Sequence, residues 1–249
     1  MSAFDLTGKV AVVTGGGQGI GEGIATSFAE AGASVVVAAR SEDRIARVAT
    51  DLRGAGASAI AVATDVTDRG ALDALARAAV DEFGRLDVWV NNAGGSPVAS
   101  PLAELDEDDW DACLALNLTA VWRASIVAAS TMTDGGVVIN ISSPAADRGV
   151  PGSGHYAAAK AGVNSLTKTL SLELAPSIRV NGISPGYVPT EVMMTALDTD
   201  EAALEAMAAK RIPLARLGTP ADVGATAVYL ASDAGSWVTG QTIVVAGGL

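Results

Sequence analysis

Cysteine occurs once in the 249 residues, at Cys113, so the chain can close no disulfide on itself and build no thiolate metal cluster. The flanking Asp111-Ala112-Cys113-Leu114-Ala115-Leu116 reads as a helix face, which predicts an inert core thiol. Histidine is equally scarce: His155 stands alone and the carboxylates are scattered, so no metal-ligand spacing is present and no metal is expected. Basic residues fall well short of acidic ones, 16 against 28, for a net charge of −12 and a pI near 4.4. Nucleic acid and anionic membrane surfaces would be repelled at long range, and neither is an expected partner. No run of eighteen apolar residues occurs, and Met1-Ser2-Ala3-Phe4-Asp5 has no basic segment leading into an apolar one. The expectation is a soluble, cytoplasmic protein. Internal repeats, low-complexity tracts and linkers are missing too, and 49% apolar residues are ample for one core, so residues 1–249 are expected to form one domain.

Short apolar runs alternate with helix-like stretches along the chain. After Lys9 to Thr14, strands are predicted at 35–39, 60–63, 86–90, 137–141, 179–183 and 242–245. Near-continuous apolar strands separated by helices indicate an α/β fold, a doubly wound parallel sheet of about seven strands covered on both faces. Ligands of such sheets bind beyond the carboxyl ends of the strands. One long irregular region, Tyr187 to about Leu217, carries Pro189 and Pro213 around a weak Ala-rich helix, and 188–214 is expected to act as a substrate lid.

The first strand stops at Gly15-Gly16-Gly17-Gln18-Gly19-Ile20-Gly21, after which Ile20, Ile24 and Phe28 recur at helical spacing up to Gly32. Glycines permit the tight turn and close approach of a phosphate, while the helix N-terminus offers free N–H groups and a partial positive charge to a pyrophosphate. The spacing is Gly15-x-x-x-Gly19-x-Gly21 rather than Gly-x-Gly-x-x-Gly, and Glu22 stands where a phosphate-loop lysine would follow.

Tyr156 and Lys160 fall a turn apart in Tyr156-Ala157-Ala158-Ala159-Lys160 and share a face if the run is helical. A lysine about 4 Å from a phenol, at an effective dielectric of about 20, contributes roughly 4 kcal/mol, enough to lower the tyrosine by about three pKa units. Tyr-x-x-x-Lys also recurs by chance on helices. Here Ser143 ends a strand thirteen residues before the tyrosine. The adjacent Ser142 must face the other way, because strands alternate faces.

With these residues in view the chain resembles the short-chain dehydrogenase/reductase family over its whole length, including members like the 3-oxoacyl-carrier-protein reductases and hydroxysteroid dehydrogenases. Thr14-Gly15-(three residues)-Gly19-Ile20-Gly21 is similar to that family's cofactor loop, Asn91-Asn92-Ala93-Gly94 to its motif after the fourth strand, and Ser143, Tyr156 and Lys160 to its catalytic set. The resemblance implies a Rossmann-type domain, Asn117 as fourth catalytic residue, and nicotinamide contacts from Pro185, Gly186, Val188 and Thr190. It further implies that Gly15, Gln18, Gly19 and Ile20 cradle the cofactor phosphates, that Asp65 and Val66 touch its adenine, and that Asn91, Ala93 and Gly94 line it. Ala246, where a carboxylate or amide is common in the family, is a departure.

Cofactor choice turns on the end of the second strand. An acidic residue there selects NAD by binding the ribose hydroxyls and repelling a 2′-phosphate. This chain has Ala39 followed by Arg40 and Ser41, an arrangement that in the family favours NADP(H), with NAD(H) as the second choice. Gln18 stands where many NADP users carry a second basic residue. By resemblance Tyr156 exchanges a proton with a carbonyl or secondary alcohol, Ser143 hydrogen-bonds the reacting oxygen, Lys160 holds both tyrosine and cofactor ribose, and Asn117 braces a proton-relay water. The resemblance also implies the substrate's neighbours, Gly95-Ser96-Pro97, Ala145, Val150, Val188, Met193, Met194, Leu197 and Met207, mostly small or apolar.

Two other classes compete. Gly182-Ile183-Ser184-Pro185-Gly186 fits the Gly-x-Ser-x-Gly of serine hydrolases, but Pro185 has no N–H for an oxyanion and His155 precedes the serine, against the hydrolase order. A non-catalytic nucleotide-sensing protein on the same fold is the other alternative, opposed by the intact set of Asn117, Ser143, Tyr156 and Lys160. The resemblance, together with the apolar surplus in Ala112 to Ala129 and Val238 to Leu249, implies a homo-oligomer, expected to be a homotetramer of two-fold symmetry.

Overall fold

A computed structural model of the chain describes residues 2–96, 98–191, 193–194 and 199–249. Seven parallel strands, β1 (Val10–Thr14), β2 (Ser34–Ala39), β3 (Ala59–Ala63), β4 (Val88–Asn91), β5 (Gly136–Ile141), β6 (Ile178–Pro185) and β7 (Thr242–Val245), form one sheet in the order β3-β2-β1-β4-β5-β6-β7. Each strand agrees with a sequence prediction to within a few residues. Among the described residues the helices include α1 (Gly19–Glu30), α2 (Glu42–Gly54), α3 (Arg69–Phe83), α4 (Glu107–Leu114), α5 (Ala120–Thr131), α6 (Gly154–Glu173), α7 (Glu201–Arg211) and α8 (Pro220–Ala231).

Strand alternation sorts the core into two layers. Ala11 and Val13 of β1 meet Ile24 and Phe28 of α1, Ile45 and Val48 of α2, and Val223 and Leu230 of α8. Val10 and Val12 meet the opposite layer, with Leu72 and Leu75 of α3, Ala124 and Val127 of α5 and Leu170 of α6. Because both faces are covered, the strands read as unbroken apolar runs rather than alternating ones. The chain leaves β1 toward β2 and β3 on one side and returns to β4 on the other, which opens a crevice at the carboxyl ends.

Between α4 and α5 the chain makes a π-helical turn, Ala115–Thr119, with Asn117 fully buried at its centre. Such single turns cluster at functional sites. By length and composition the run Glu107–Thr131 could cross a membrane, with a hydropathy of 1.5. Its Val121, Ala124, Val127 and Ala128 are instead buried in the protein core. The irregular region after β6 contains α7, capped by Asp200, whose carboxylate accepts from the Ala203 N–H at 2.8 Å.

Candidate active site

A cleft of about 1140 Å³ runs along the carboxyl ends of the strands. At its floor β1 turns into α1 through glycines whose backbones leave no room for a side chain. Gly15 takes φ +65°, and a Cβ there would meet the Asn92 side chain at 2.7 Å. A Cβ on Gly21 would collide with the Gly15 carbonyl oxygen. The N-terminus of α1 therefore lies bare to the cleft, and Gln18 adds a buried Oε1 without a partner among the described residues. A backbone cradle, a helix N-terminus and an unsatisfied side-chain amide fit the pyrophosphate of a dinucleotide.

Of the residues singled out in the sequence, Gly15, Gln18, Gly19, Ile20, Arg40, Ser41, Asp65, Val66, Ala93, Gly94, Ser143, Tyr156, Lys160, Pro185, Gly186 and Thr190 line this cleft. Asn91 does not. Its amide donates to Ser125 Oγ at 3.0 Å and Asn140 Oδ1 at 2.8 Å, and its oxygen accepts from Trp89 Nε1 at 2.9 Å, so the side chain is consumed inside the core. The cleft belongs to its neighbour Asn92, which donates to the Thr14 and Gly15 carbonyls at 2.9 and 3.2 Å and fixes the glycine turn. Strand alternation could have told the two apart. The Val188 side chain is likewise turned away, buried in the core.

Tyr156 sits in the first turn of α6, and the Ser143 side chain, just past β5, lies close enough to its phenol to lower that phenol's pKa. Ser142 Oγ instead donates to Asn164 Oδ1 at 2.6 Å, so the two serines face opposite ways. Lys160, one turn along α6 from Tyr156, is buried; its ammonium donates to the Ile141 carbonyl at 2.8 Å and lies 5.6 Å from the centre of the Tyr156 ring. Asn117 does not reach the cleft surface. Its amide exchanges two hydrogen bonds with the Gly95 backbone, both 2.9 Å, and so holds the loop that lines the cleft after β4. Its Oδ1 stands 2.7 Å from where a Gly94 Cβ would be, with Lys160 Nζ at 3.4 Å from the same point.

The structure reverses the expected direction of the Tyr156 shift. Burial pushes its phenol up to about 12, and the neighbouring Ser143 side chain offsets this only in part. Burial also pushes Lys160 down to about 8. The ammonium donates to the Ile141 carbonyl and stands 5.6 Å from the ring centre, and burial, not the nearby cation, sets the direction of the phenol's shift. Cys113 is buried as predicted, with its thiol pushed up by burial, but it is not merely core: it accepts from Asn117 Nδ2 at 3.5 Å through sulfur and 3.0 Å through its carbonyl.

Among the proposed substrate neighbours, Gly95, Ser96, Ala145, Val150 and Met193 line the cleft, whereas Val188, Met194 and Met207 do not. Pro97 and Leu197 lie outside the described residues. His155 is buried, with Nε2 2.9 Å from Ser96 Oγ. Ser184 is fully buried within β6 and its hydroxyl has no partner among the described residues, which removes the hydrolase reading: no substrate reaches it. Sequence reasoning missed Arg44, which lines the cleft from the first turn of α2. The one available signal was its position a helical turn beyond Arg40.

Comparison with known proteins agrees with this geometry. Residues 15–249 match the family model described as enoyl-(acyl carrier protein) reductase. The chain is 39% identical over 247 residues to a 3-oxoacyl-[acyl-carrier-protein] reductase of Chlamydia pneumoniae, covering 98% of each protein. It is 42% identical over 250 residues to 3β-hydroxysteroid dehydrogenase 1 of Eggerthella lenta, covering 98% of this chain and 95% of that one. Among solved structures, a 7α-hydroxysteroid dehydrogenase complexed with NADH and 7-oxo glycochenodeoxycholic acid superposes with a TM-score of 0.92 at 36% identity, over 99% of this chain and 96% of the other. A short-chain type dehydrogenase/reductase from Mycobacterium marinum gives 0.91 at 37% identity, over 98% and 96%.

Proposed function

The chain belongs to the short-chain dehydrogenase/reductase family, NAD(P)-dependent oxidoreductases acting on CH–OH and C=O groups, and from that premise we propose that it interconverts an apolar ketone and its secondary alcohol with NADP(H) in preference to NAD(H). One observation carries this reading: a single cleft holds Ser143, Tyr156 and Lys160 together with Arg40 and the glycine turn. When bound, the nicotinamide cofactor supplies or accepts the hydride. The residues of the chain do the rest. In reduction Tyr156, held protonated by its surroundings, gives its proton to the substrate oxygen, and Ser143 donates a hydrogen bond to that oxygen as charge develops on it. Lys160 stabilises the tyrosinate that results and passes it a replacement proton. Asn117 keeps the 94–95 backbone in place beside the ammonium.

Arg40 supports the NADP preference. It is exposed at the cleft and makes no ion pair among the described residues, while the acidic residue that would repel a 2′-phosphate is absent from the end of β2. Val98, Leu116, Val150 and Met193 in the cleft wall support an apolar substrate. A homotetramer is supported by large apolar side chains left facing water, Trp122 on α5, Leu172 on α6, and Trp237 and Val244 around β7; light scattering that returns a monomer mass at micromolar concentration counts against it. A cytoplasmic location is proposed on the acidic composition.

The deciding experiment is a panel of ketones and secondary alcohols offered with NADPH, NADH and their oxidised forms. Turnover of apolar ketones, faster with NADPH, is the expected result. Tight cofactor binding with no turnover of any carbonyl favours the nucleotide-sensing alternative.

A further inference from the structure

Three arginines stand near the cofactor end of the cleft, and they differ in what holds them. Arg47 is committed within its own neighbourhood, to Glu22 at 2.8 Å and Asp51 at 3.1 Å. Arg40 makes no ion pair among the described residues; its charge lowers Asp65 a little further, a carboxyl that Thr67 already holds low through two hydrogen bonds. Arg44 is held from across the cleft. Its guanidinium donates to both carboxylate oxygens of Glu191, at 2.8 and 3.4 Å, from a residue 147 positions away that follows Thr190 beyond β6.

The backbone fixes where this bridge lies. A Cβ on Gly17 would meet Arg44 Cβ at 3.1 Å, and a Cβ on Gly19 would meet Thr190 Cγ2 at 2.9 Å, so the glycine turn is flanked by Arg44 on one side and by the chain neighbour of Glu191 on the other. Arg44 also lines the cleft together with Arg40 and Ser41, the residues proposed to receive a 2′-phosphate. Both partners of the bridge are roughly half exposed, 46% and 64%, and pairs so exposed to water are weak. A phosphate monoester carries more charge than a carboxylate and can likewise accept two parallel hydrogen bonds from a guanidinium.

We propose that Arg44 is a specificity-determining residue that exchanges partners: a 2′-phosphorylated dinucleotide draws its guanidinium off Glu191 and into a two-arginine phosphate clamp with Arg40, whereas a dinucleotide with a free 2′-hydroxyl leaves the bridge intact. Glu191 thereby acts as an internal competitor that tempers the NADP preference. This rests on the NADP reading of the site and adds to it a second basic group, supplied by α2 in place of the one that Gln18 does not provide in the glycine turn.

The test measures dissociation constants of NADPH and NADH by fluorescence titration on the wild type, Arg44→Gln, Glu191→Gln, the double variant and Arg40→Ala, reading the NADPH-to-NADH affinity ratio of each. The ratio should fall about tenfold in Arg44→Gln and rise about threefold in Glu191→Gln. In the double variant it should match Arg44→Gln alone, because with no guanidinium to release the carboxylate has nothing to compete for. A rise in the double variant equal to that of Glu191→Gln alone means that Glu191 acts by general repulsion and overturns the exchange. An unchanged ratio in Arg44→Gln, with both cofactors moving in parallel, means that the bridge is only a strap and overturns the proposal outright. The Arg40→Ala arm isolates the underlying reading: if the wild type prefers NADH and Arg40→Ala leaves the ratio alone, the NADP assignment itself has failed.

Discussion

The Lys160 ammonium donates to the Ile141 carbonyl at 2.8 Å, so the last residue of β5 holds in place the cation that α6 carries one turn beyond Tyr156. One hydrogen bond does not replace the hydration that a buried ammonium gives up, and Lys160 is pushed down to about 8. The site keeps this charge at a cost to the fold.

That cost predicts a stability change with a definite pH dependence. The unfolded lysine, at about 10.5, binds its proton more tightly than the folded one at about 8, so its burden is full below pH 8 and is relieved as pH rises toward 10.5. Lys160→Met should therefore be more stable than the wild type at pH 7, by about 1 to 3 kcal/mol, with the advantage fading over that window. Thermal unfolding of both proteins from pH 6 to 10.5 measures it. Tyr156, raised to about 12, adds an opposite slope above pH 10, but both proteins share it and it cancels in the difference. A constant difference at every pH means that the burial cost is absent.

Removing the Tyr156 hydroxyl removes the proposed proton carrier and little else. Tyr156→Phe should lower kcat by at least about a hundredfold while cofactor affinity stays near that of the wild type. Lys160→Ala should impair both. Near-normal turnover by the phenylalanine variant assigns the proton transfer elsewhere.

These residues were legible in the sequence because their relationships are local or periodic. Tyr156 and Lys160 need only a helix to meet, and Ser143 needs only the end of an apolar strand. The sheet was legible for the same reason, since a strand buried on both faces writes an unbroken apolar run such as Val10 to Val13. What escaped depends on packing between distant segments. The sign of the Tyr156 shift follows from how deeply α6 is covered, which spacing does not record. Arg44 and Glu191 meet only because α2 and the segment after β6 converge over the glycine turn. Asn91 and Asn92 look equivalent until their faces are assigned, and the π-helical turn around Asn117 leaves no mark in composition.

Cofactor choice should respond to Arg40. A charge-assisted pair lost from a partly exposed site typically costs about 1.5 to 3 kcal/mol, so Arg40→Ala should reduce the NADPH-over-NADH preference in kcat/KM roughly tenfold to a hundredfold. A wild-type enzyme that prefers NADH contradicts this assignment of the β2 end.

The glycine turn should tolerate no side chain where the backbone closes on itself. A Cβ at Gly21 would strike the Gly15 carbonyl and come within 2.5 Å of the Asn92 amide, so Gly21→Ala should weaken cofactor binding at least tenfold and cost about 1 to 3 kcal/mol of stability. Gly54, at the end of α2, has open space around its missing side chain, and Gly54→Ala should be neutral or slightly stabilising with normal binding. Equal effects of the two changes on cofactor titration and thermal melting exclude a special role for the turn.

The segment 188–214 should behave as a lid that becomes ordered over bound cofactor and substrate. Its start is anchored by the buried Val188, by the Arg44–Glu191 bridge and by Thr190 Oγ1, which accepts from the Met193 N–H at 3.2 Å beside the glycine turn, and Met193 lines the cleft. Its far end carries α7, whose Leu204 and Ala208 are buried while most of its other residues face water. A helix held by so few apolar contacts opens at lower free energy than the core strands, which suits a cover that must admit substrate and then exclude water from the reacting atoms. The competing account is a helix folded permanently over the core. Hydrogen exchange across Met193 to Met207 separates the two: protection should rise on adding NADP(H) and rise again with an apolar ketone analogue. Equal protection in all three states assigns α7 to the static fold and leaves closure of the site to the loop around Gly95 and Ser96.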